Sequence, residues 1–479
     1  MKHVLMIVFV FAAIALSATA DIQVTYTGFN TEQQAAFEYA ASLWEPILNS
    51  TVPIKINAKF QNIPGYITIT IPNLIRNFTG APMQNVWHSN SLANALSGTE
   101  LNPGEADVDF IINPSSDNPW YFGLDMNCPV GSYDFVSEIH KGIAYGLGYM
   151  SSFYVQSGYG SYGMLDPSVL GLTPSFPWEP MQNQPAQYDL HVCNTQGQFL
   201  TDTGFANPSP ALNAQLTGGN LRYDGTYGNT FNNDTQPVLY SGAFNLARTA
   251  RLDGSTYNGT ENAPGVPTGT LGPGFRYPAP IVLGILKDLG WNLDMESLMP
   301  PAANLAGTFV DGTVQLNWDE PVTPYNHSYW VERNGAEIAV VIENTYTDPY
   351  PQQGLNDYTI KVAYSMGISQ YSNAVVITVA NDDETMVPVK DMLLSVSPNP
   401  FSGNGQLQFK LSQSSVVNLQ VFNLKGQLLG NLFTGQLTSG EHSLAWDGSI
   451  DGKKLASGLY LIRCKSGNSH ATAKVVVVR

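Results

Sequence analysis

Apolar and polar residues follow both helical and extended periods before residue 295. Four apolar residues recur at helical spacing after Asn30 or Thr31, either of which can cap a helix; they are Phe37, Ala40, Ala41 and Trp44. They predict a helix over residues 29–48. A second helix, "IVLGILKDL" at residues 281–289, should end at Gly290, and "ADVDFII" at residues 106–112 alternates like a strand. The mixture predicts an α+β domain over residues 21–295.

Residues 302–380 alternate with a period of two instead. The alternation is seen at Val314, Leu316 and Trp318, in "YTIKVAY" at residues 358–364, and at residues 375–379. Asn334-Gly335 between such runs predicts a hairpin turn, because both residues tolerate positive φ. Some seven short strands indicate a β-sandwich. The segment resembles a fibronectin type III domain with Trp318 in its core, which implies a spacer or adhesive module.

A second all-β unit is expected over residues 393–479, after an acidic linker at residues 381–384 and the stretch "SPNPF". Strand patterns occur at residues 407–411, 417–422, 439–448 ("SGEHSLAWDG") and 456–464 ("ASGLYLIRC"). Their order resembles the C-terminal sorting domains, or closely related immunoglobulin-like modules, of exported Gram-negative bacterial proteins. That resemblance implies an address or surface attachment. One more structural sandwich is the alternative.

The first twenty residues have the pattern of a secretory signal peptide. A positive start at Lys2 precedes an apolar run and the exit Ala18-Thr19-Ala20, so we expect cleavage after Ala20. The run falls short of the ~20 residues that a membrane span needs. No later stretch qualifies, so the sequence predicts an exported chain without a transmembrane segment, secreted or held at the cell surface.

Charge and cysteine content narrow the partners. Asp and Glu outnumber Lys and Arg by 38 to 21, a net charge of −17, which would repel a phosphate backbone and makes nucleic acid an unexpected partner. The three cysteines are Cys128, Cys193 and Cys464, too few for a disulfide scaffold. Cys128 and Cys193 can pair in an oxidising compartment or remain two separate thiols.

The stretch "DFVSEIHKGIAYGLGYMS" at residues 134–151 carries the strongest family resemblance. With "VTYTGFNTEQQAAFEYAASLWEPILNSTVPIKI", "LTGGNLRYDG", "RLDGSTYNGTENA" and "PAPIVLGILKDLGW", it resembles secreted bacterial zinc metalloproteases. In that family a helix carries His-Glu-x-x-His, followed by Gly-Leu-Gly-aromatic. Histidines at i and i+4 share a helix face and hold zinc, and the Glu deprotonates its water. The resemblance implies a metalloprotease-like fold.

The residues at the matching positions do not suit that chemistry. We align Gly-Leu-Gly-Tyr with the family's Gly-Leu-Gly-aromatic segment. Lys141 then matches the first zinc ligand, Gly142 matches the glutamate that acts as the base, and Tyr145 matches the second zinc ligand. The family's third ligand matches Arg251, and its Met-containing turn matches residues 264–267, "PGVP". Lys and Arg offer no lone pair, and Gly has no side chain. We therefore predict no catalytic residue, no metal site and no cofactor. Lys141 and Arg251 should meet a carboxylate from Glu138 or Asp253, or else face open solvent, where they could hold an anionic group such as a peptide C-terminus.

Other candidate chemistry is sparse. The histidines of residues 21–295 are His88, His140 and His191, and isolated histidines are usually hydrogen-bonded structural residues. Asp107 and Asp109 share one face of a strand, where a solvated edge explains them. The turn at residues 228–235 offers only Asp234 as a carboxylate, fewer than a calcium loop needs.

These patterns predict a secreted, multidomain protein: an α+β metalloprotease-like domain with a degenerate active site, followed by two all-β sandwich domains. We expect a binding or adhesive role toward a peptide or a cell-surface ligand. One alternative is an active zinc endopeptidase with other ligands. The other is a purely structural envelope protein.

Overall fold

The computed structural model describes residues 19–114, 119–164, 181–241, 250–263, 272, 274–379, 392, 394–411, 413–467 and 469–478. Most of the predicted signal peptide, residues 264–267 and the acidic linker lie outside them. Contacts divide the chain into two compact units. One comprises residues 1–229 and 235–294, and the other comprises residues 230–234 and 295–479. None of the described helices is long and apolar enough to cross a membrane.

The first unit mixes helices with short strands. Its strands are β1 (Ile22–Thr27), β2 (Ile54–Phe60), β3 (Thr68–Pro72), β4 (Leu74–Ile75), β5 (His88–Ser89), β6 (Val108–Ile112), β7 (Trp120–Tyr121), β8 (Tyr133–Asp134), β9 (Tyr154–Gln156), β10 (Tyr159–Ser161), β11 (Val192–Cys193) and β12 (Arg222–Tyr223). Its helices are α1 (Thr31–Ser42), α2 (Asn90–Ser97), α3 (Phe135–Gly146), α4 (Pro210–Thr217), α5 (Thr226–Thr230), α6 (Gly254–Tyr257) and α7 (Pro280–Leu289).

A four-stranded sheet in the order β1-β2-β6-β3 forms the centre of this unit. β1, β2 and β6 run parallel, and β3 pairs antiparallel with β6. Helix α3 packs against α1 and against β3 and β6. The ring of Phe37 on α1 meets Phe110 on β6 edge-on, with centroids 5.3 Å apart. This apolar layer between sheet and helices fixes the position of α3.

Helix α1 begins where the sequence predicts and ends earlier. Asn30 is its cap: the Asn30 side chain accepts from Gln33 N, and the Gln33 side chain accepts from Asn30 N, both at 2.9 Å. The helix stops at Ser42 instead of residue 48. Pro46 cannot sit in a helix interior. Leu48 instead forms a β-bridge with Leu293.

The second unit opens with the short helix α8 (Met295–Leu298) and continues as a β-sandwich. Its strands are β13 (Ala303–Val310), β14 (Thr313–Asp319), β15 (His327–Arg333), β16 (Ala336–Val341), β17 (Thr345–Asp348), β18 (Gly354–Tyr364), β19 (Gly367–Ile368) and β20 (Val375–Val379). One sheet has the order β13-β14-β17, and the other β16-β15-β18-β19, with β20 pairing β18. This arrangement is typical of a fibronectin type III domain, with Trp318 buried in its core. Asn334 and Gly335 turn between β15 and β16 with φ of 52° and 74°.

The last part of the chain is a second sandwich. Its strands are β21 (Leu394–Ser397), β22 (Gly405–Leu411), β23 (Ser415–Asn423), β24 (Leu428–Leu437), β25 (Gly440–Trp446), β26 (Ser449–Ile450), β27 (Lys453–Lys454), β28 (Gly458–Ser466) and β29 (Ser469–Val477). A β21-β22-β25 sheet faces a β24-β23-β28-β29 sheet. Leu407, Leu419 and Ile462 are buried between them. The described chain is therefore multidomain and mostly β.

Candidate functional site

Helix α3 carries three of the four positions that the family resemblance singles out, and buried polar groups hold its first turn. The Asp134 carboxylate forms an ion pair with Arg276 at 3.0 Å, and both side chains are almost fully buried. It also accepts from the Ser137 hydroxyl at 2.7 Å. At the other end, the indole of Trp291 donates to the Leu147 carbonyl at 2.7 Å. The helix is thus fixed at both ends by partners distant in sequence.

Glycines bring one face of α3 unusually close to the sheet. A Cβ built on Gly142 would lie 2.5 Å from the Phe110 ring and 2.8 Å from Thr70 Oγ1. One turn later, a Cβ on Gly146 would lie 2.8 Å from Val108. Phe110 and Val108 are two apart on β6 and so share a sheet face. Gly142 therefore meets the sheet directly, and a side chain there has no room.

The adjacent face of α3 is partly exposed and holds Lys141 and Tyr145. Lys141 Nζ forms an ion pair with Glu138 at 2.9 Å, one helical turn earlier. The Tyr145 ring stacks on Tyr149, with centroids 5.6 Å apart. Both positions line one cavity of about 20 Å³, room for about one water molecule. Its other lining residues include Trp44, His140, Ala144, Tyr149, Tyr277 and Pro278.

Arg251 lies near the same residues from another segment. Burial raises the pKa of the Tyr149 phenol well above its usual range; Tyr145 raises it further, whereas Arg251 lowers it. The positions matched to the second and third ligands are therefore both electrostatically coupled to Tyr149. Asp253, the other expected carboxylate partner, caps α6 by accepting from Thr256 N at 2.9 Å.

The three histidines among the described residues of this unit occupy structural positions. His140 is stacked on Trp44 at 5.0 Å, and its Nε2 is buried without a hydrogen-bond partner. Burial lowers its pKa to about 3. Burial lowers the pKa of His88 to about 4, and the hydrogen bond between His88 and the Val86 carbonyl opposes this shift. His191 contacts the Asp224 carbonyl at 3.0 Å and stacks on Tyr223.

The residues at the matched positions do not fit a zinc ion. Lys141 is a cation already paired with Glu138, and Gly142 has no space for a carboxylate. Within the part of the chain that the structure describes, no three His, Cys, Asp or Glu side chains come together as metal ligands. The arrangement offers instead a cavity rich in aromatic rings with a paired cation at its edge.

The two acidic residues expected at a solvated edge are buried, which corrects that prediction. β6 lies between β2 and β3, so neither Asp107 nor Asp109 is at an edge. Asp107 accepts from Lys55 N at 2.8 Å and from the Asn94 side chain at 2.9 Å. Burial raises its pKa to about 6. The neighbouring Asn90 and Asn94, polar residues at the start of α2, were the signal for this buried network.

The cysteines are separate thiols in the structure. Cys128, Cys193 and Cys464 are all buried and free. Of the two alternatives that the sequence left open, the structure has the unpaired one. Burial raises the pKa of Cys193 to about 11, so its thiolate is scarce at neutral pH.

Parts of the chain are similar to known proteins. Solved structures that are similar in part include dimeric latent PorU from Porphyromonas gingivalis (14% identity, TM-score 0.17, 38% of this chain and 20% of that chain), a fibronectin type III domain of human KIAA0970 protein (14%, 0.17, 19% and 82%) and chicken CNTN1 FN1-FN3 domains (14%, 0.15, 38% and 67%). No curated protein sequence matches the chain. A family model described as a secretion system C-terminal sorting domain matches residues 395–478. The chain therefore ends in a sorting-domain sequence, which indicates a secreted or cell-surface protein.

Proposed function

We propose that this protein is a secreted or cell-surface binding protein whose N-terminal unit is a metalloprotease-like domain without catalytic function. The observation that carries the proposal is the ion pair between Lys141 and Glu138 at the first ligand position. A cation with a satisfied partner offers no lone pair to a metal. The close approach of Gly142 to Phe110 supports the same conclusion for the base.

The cavity beside α3 supports a binding role. It is bordered by several aromatic rings and by the aliphatic stem of Lys141, surfaces that suit apolar or aromatic side chains of a peptide. The cavity itself is small, so a peptide would lie across its mouth. An adhesive role agrees with a fibronectin type III-like domain and a sorting tail in the same chain.

The decisive experiment measures zinc content and peptidase activity of the purified full-length protein. We expect far less than one zinc per chain and no activity that a chelator removes. One tightly held zinc per chain, with chelator-sensitive cleavage of a peptide mixture, would establish an active endopeptidase with other ligands. A chain purified and refolded with added zinc serves as the control for metal lost in preparation.

A second measurement separates a binding protein from a purely structural envelope protein. Immobilised tryptic peptides of gelatin serve as the probe, and the full chain is compared with Ala144→Val, whose added methyl groups should fill the small cavity. We expect saturable binding that the substitution weakens. Equal retention of both proteins, or of neither, would favour the structural role.

A further inference from the structure

Both sandwiches bury apolar side chains on faces that point away from their own cores. On β28, Ile462 and Cys464 belong to the core of the last sandwich, and Leu461, which directly precedes Ile462, points to the opposite face. Leu461 is nevertheless 0% exposed. A residue on the outer face of a sheet is buried only when something covers that face.

The cover is the fibronectin type III-like domain. Leu461 and Phe422 form one buried cluster with Val340 on β16. Trp330 pairs with Val340 across β15 and β16, so the two residues share a sheet face, and Trp330 packs against this cluster. The outer faces of two sheets, one from each sandwich, are therefore in direct apolar contact.

Ion pairs surround this apolar cluster. In each pair the acidic side chain belongs to the fibronectin type III-like domain, and the basic side chain belongs to the sorting domain. Arg463 Nη1 meets Glu343 at 2.7 Å, and His470 Nε2 lies 3.9 Å from the same carboxylate. Lys474 pairs with Glu337. In a chain with a net charge of −17, a basic face opposite an acidic edge is a complementary contact.

The backbones also approach closely. The Ser328 hydroxyl donates to the Leu424 carbonyl at 2.8 Å. Gly426, with φ of 75°, lies in the turn after β23, and a Cβ there would lie 2.0 Å from the His327 carbonyl oxygen. Only glycine permits this turn to rest on β15.

We propose that the β23–β28 face of the sorting domain is a docking surface whose partner is the chain's own fibronectin type III-like domain. The two sandwiches then act as one unit. The sorting domain keeps a fixed orientation on its neighbour, and its basic face is covered before any other protein can reach it. The free β21-β22-β25 sheet is left for recognition.

Charge reversal in the full-length chain tests this proposal. Glu343→Arg and Arg463→Glu are made singly and together, and amide hydrogen exchange is followed in β16 and β23. We expect each single reversal to raise exchange there by about tenfold, and the double variant to recover most of the protection. Glu441→Arg, at an exposed pair with Lys410 in the same sandwich, is the matched control and should change neither strand.

Arg463 also contacts Gln420 and the Phe422 ring, so its substitution could disturb the sorting domain itself. A second charge swap, Glu337→Lys together with Lys474→Glu, avoids this disturbance of the sorting domain, because both side chains are partly exposed. Single changes of that pair should raise exchange and the double change should restore it. Unchanged exchange in the single variants of both pairs, or double variants that exchange as fast as the singles, would overturn the proposal.

Discussion

At the scale of single residues, the three α3 positions that the family resemblance singles out each have a structural contact. Lys141 forms a helix-surface ion pair, Tyr145 stacks on Tyr149, and Gly142 packs on Phe110. His140, one residue away, fills a buried place on Trp44.

Replacing His140 with Phe should make the first unit less sensitive to acid. The pKa of His140 is about 3 when folded, below the ordinary value of 6.5, so the folded state holds it neutral. Its contribution to stability is complete above pH 6.5 and is lost as pH falls toward 3. The wild type should therefore lose on the order of 2–3 kcal/mol more than His140→Phe between pH 6.5 and pH 4.

Chemical unfolding at several pH values measures this difference. At pH 7.5 the variant should be at least as stable as the wild type, because it keeps a ring against Trp44 and removes a buried nitrogen without a partner. Parallel pH profiles for the two proteins would show that His140 is not the titrating group.

The triple variant Lys141→His, Tyr145→His, Arg251→His should bind zinc. Three protein ligands suffice for an open site, and the second and third positions both act on Tyr149. Isothermal titration calorimetry with zinc gives the measurement, and Lys141→His alone, which should not bind, is the control. A folded triple variant without zinc binding would show that the match of Arg251 to the third ligand is wrong.

At the scale of elements, the packing of α3 on β6 is the sharpest feature. Gly142→Ala gains up to about 1 kcal/mol of helix propensity. The added Cβ, however, would lie 2.5 Å from the Phe110 ring, and overpacking typically costs about 1–3 kcal/mol. We expect a net loss of about 1–2 kcal/mol in the free energy of unfolding.

Gly204→Ala is the matched control, since no atom lies within 4 Å of a Cβ built there. In denaturant unfolding, the free energy of unfolding of that variant should equal or slightly exceed that of the wild type. If Gly142→Ala is as stable as Gly204→Ala, Phe110 and its neighbours can move to accommodate the added methyl group, and the close packing does not restrict position 142.

Helices and strands with one apolar and one polar face could be predicted from the sequence. The alternation of Val314, Leu316 and Trp318 and the cap at Asn30 belong to this class. The burial of Asp107 was not readable, because an alternating run does not reveal whether a strand is central or at an edge. The unbroken run Leu459-Tyr460-Leu461-Ile462 was a readable signal for a sheet covered on both faces.

At the scale of the whole molecule, the contact between the sandwiches changes what truncation should do. The sequence alone predicts that a chain without residues 393–479 remains folded and reaches a different location. The structure adds that Trp330, Val340 and Ile342 would lose their cover. We expect the fibronectin-like domain of the truncated chain to unfold at lower temperature, with the first unit unaffected.

Differential scanning calorimetry of the two chains and fractionation of the producing cells test both parts. A truncated chain that carries Val340→Thr should be more soluble than the truncated chain alone, because a polar group then replaces exposed apolar surface. If the truncated chain reaches the same location as the wild type, residues 393–479 do not direct sorting.

The contact of Gly142 with Phe110 also limits the routes open to this protein in evolution. A glutamate at position 142 requires a smaller side chain at position 110 beforehand, and that change alone would leave a hole in a buried layer. Each single step is thus deleterious before the pair becomes useful. The packing of Gly142 on Phe110 therefore opposes the appearance of a carboxylate at this position.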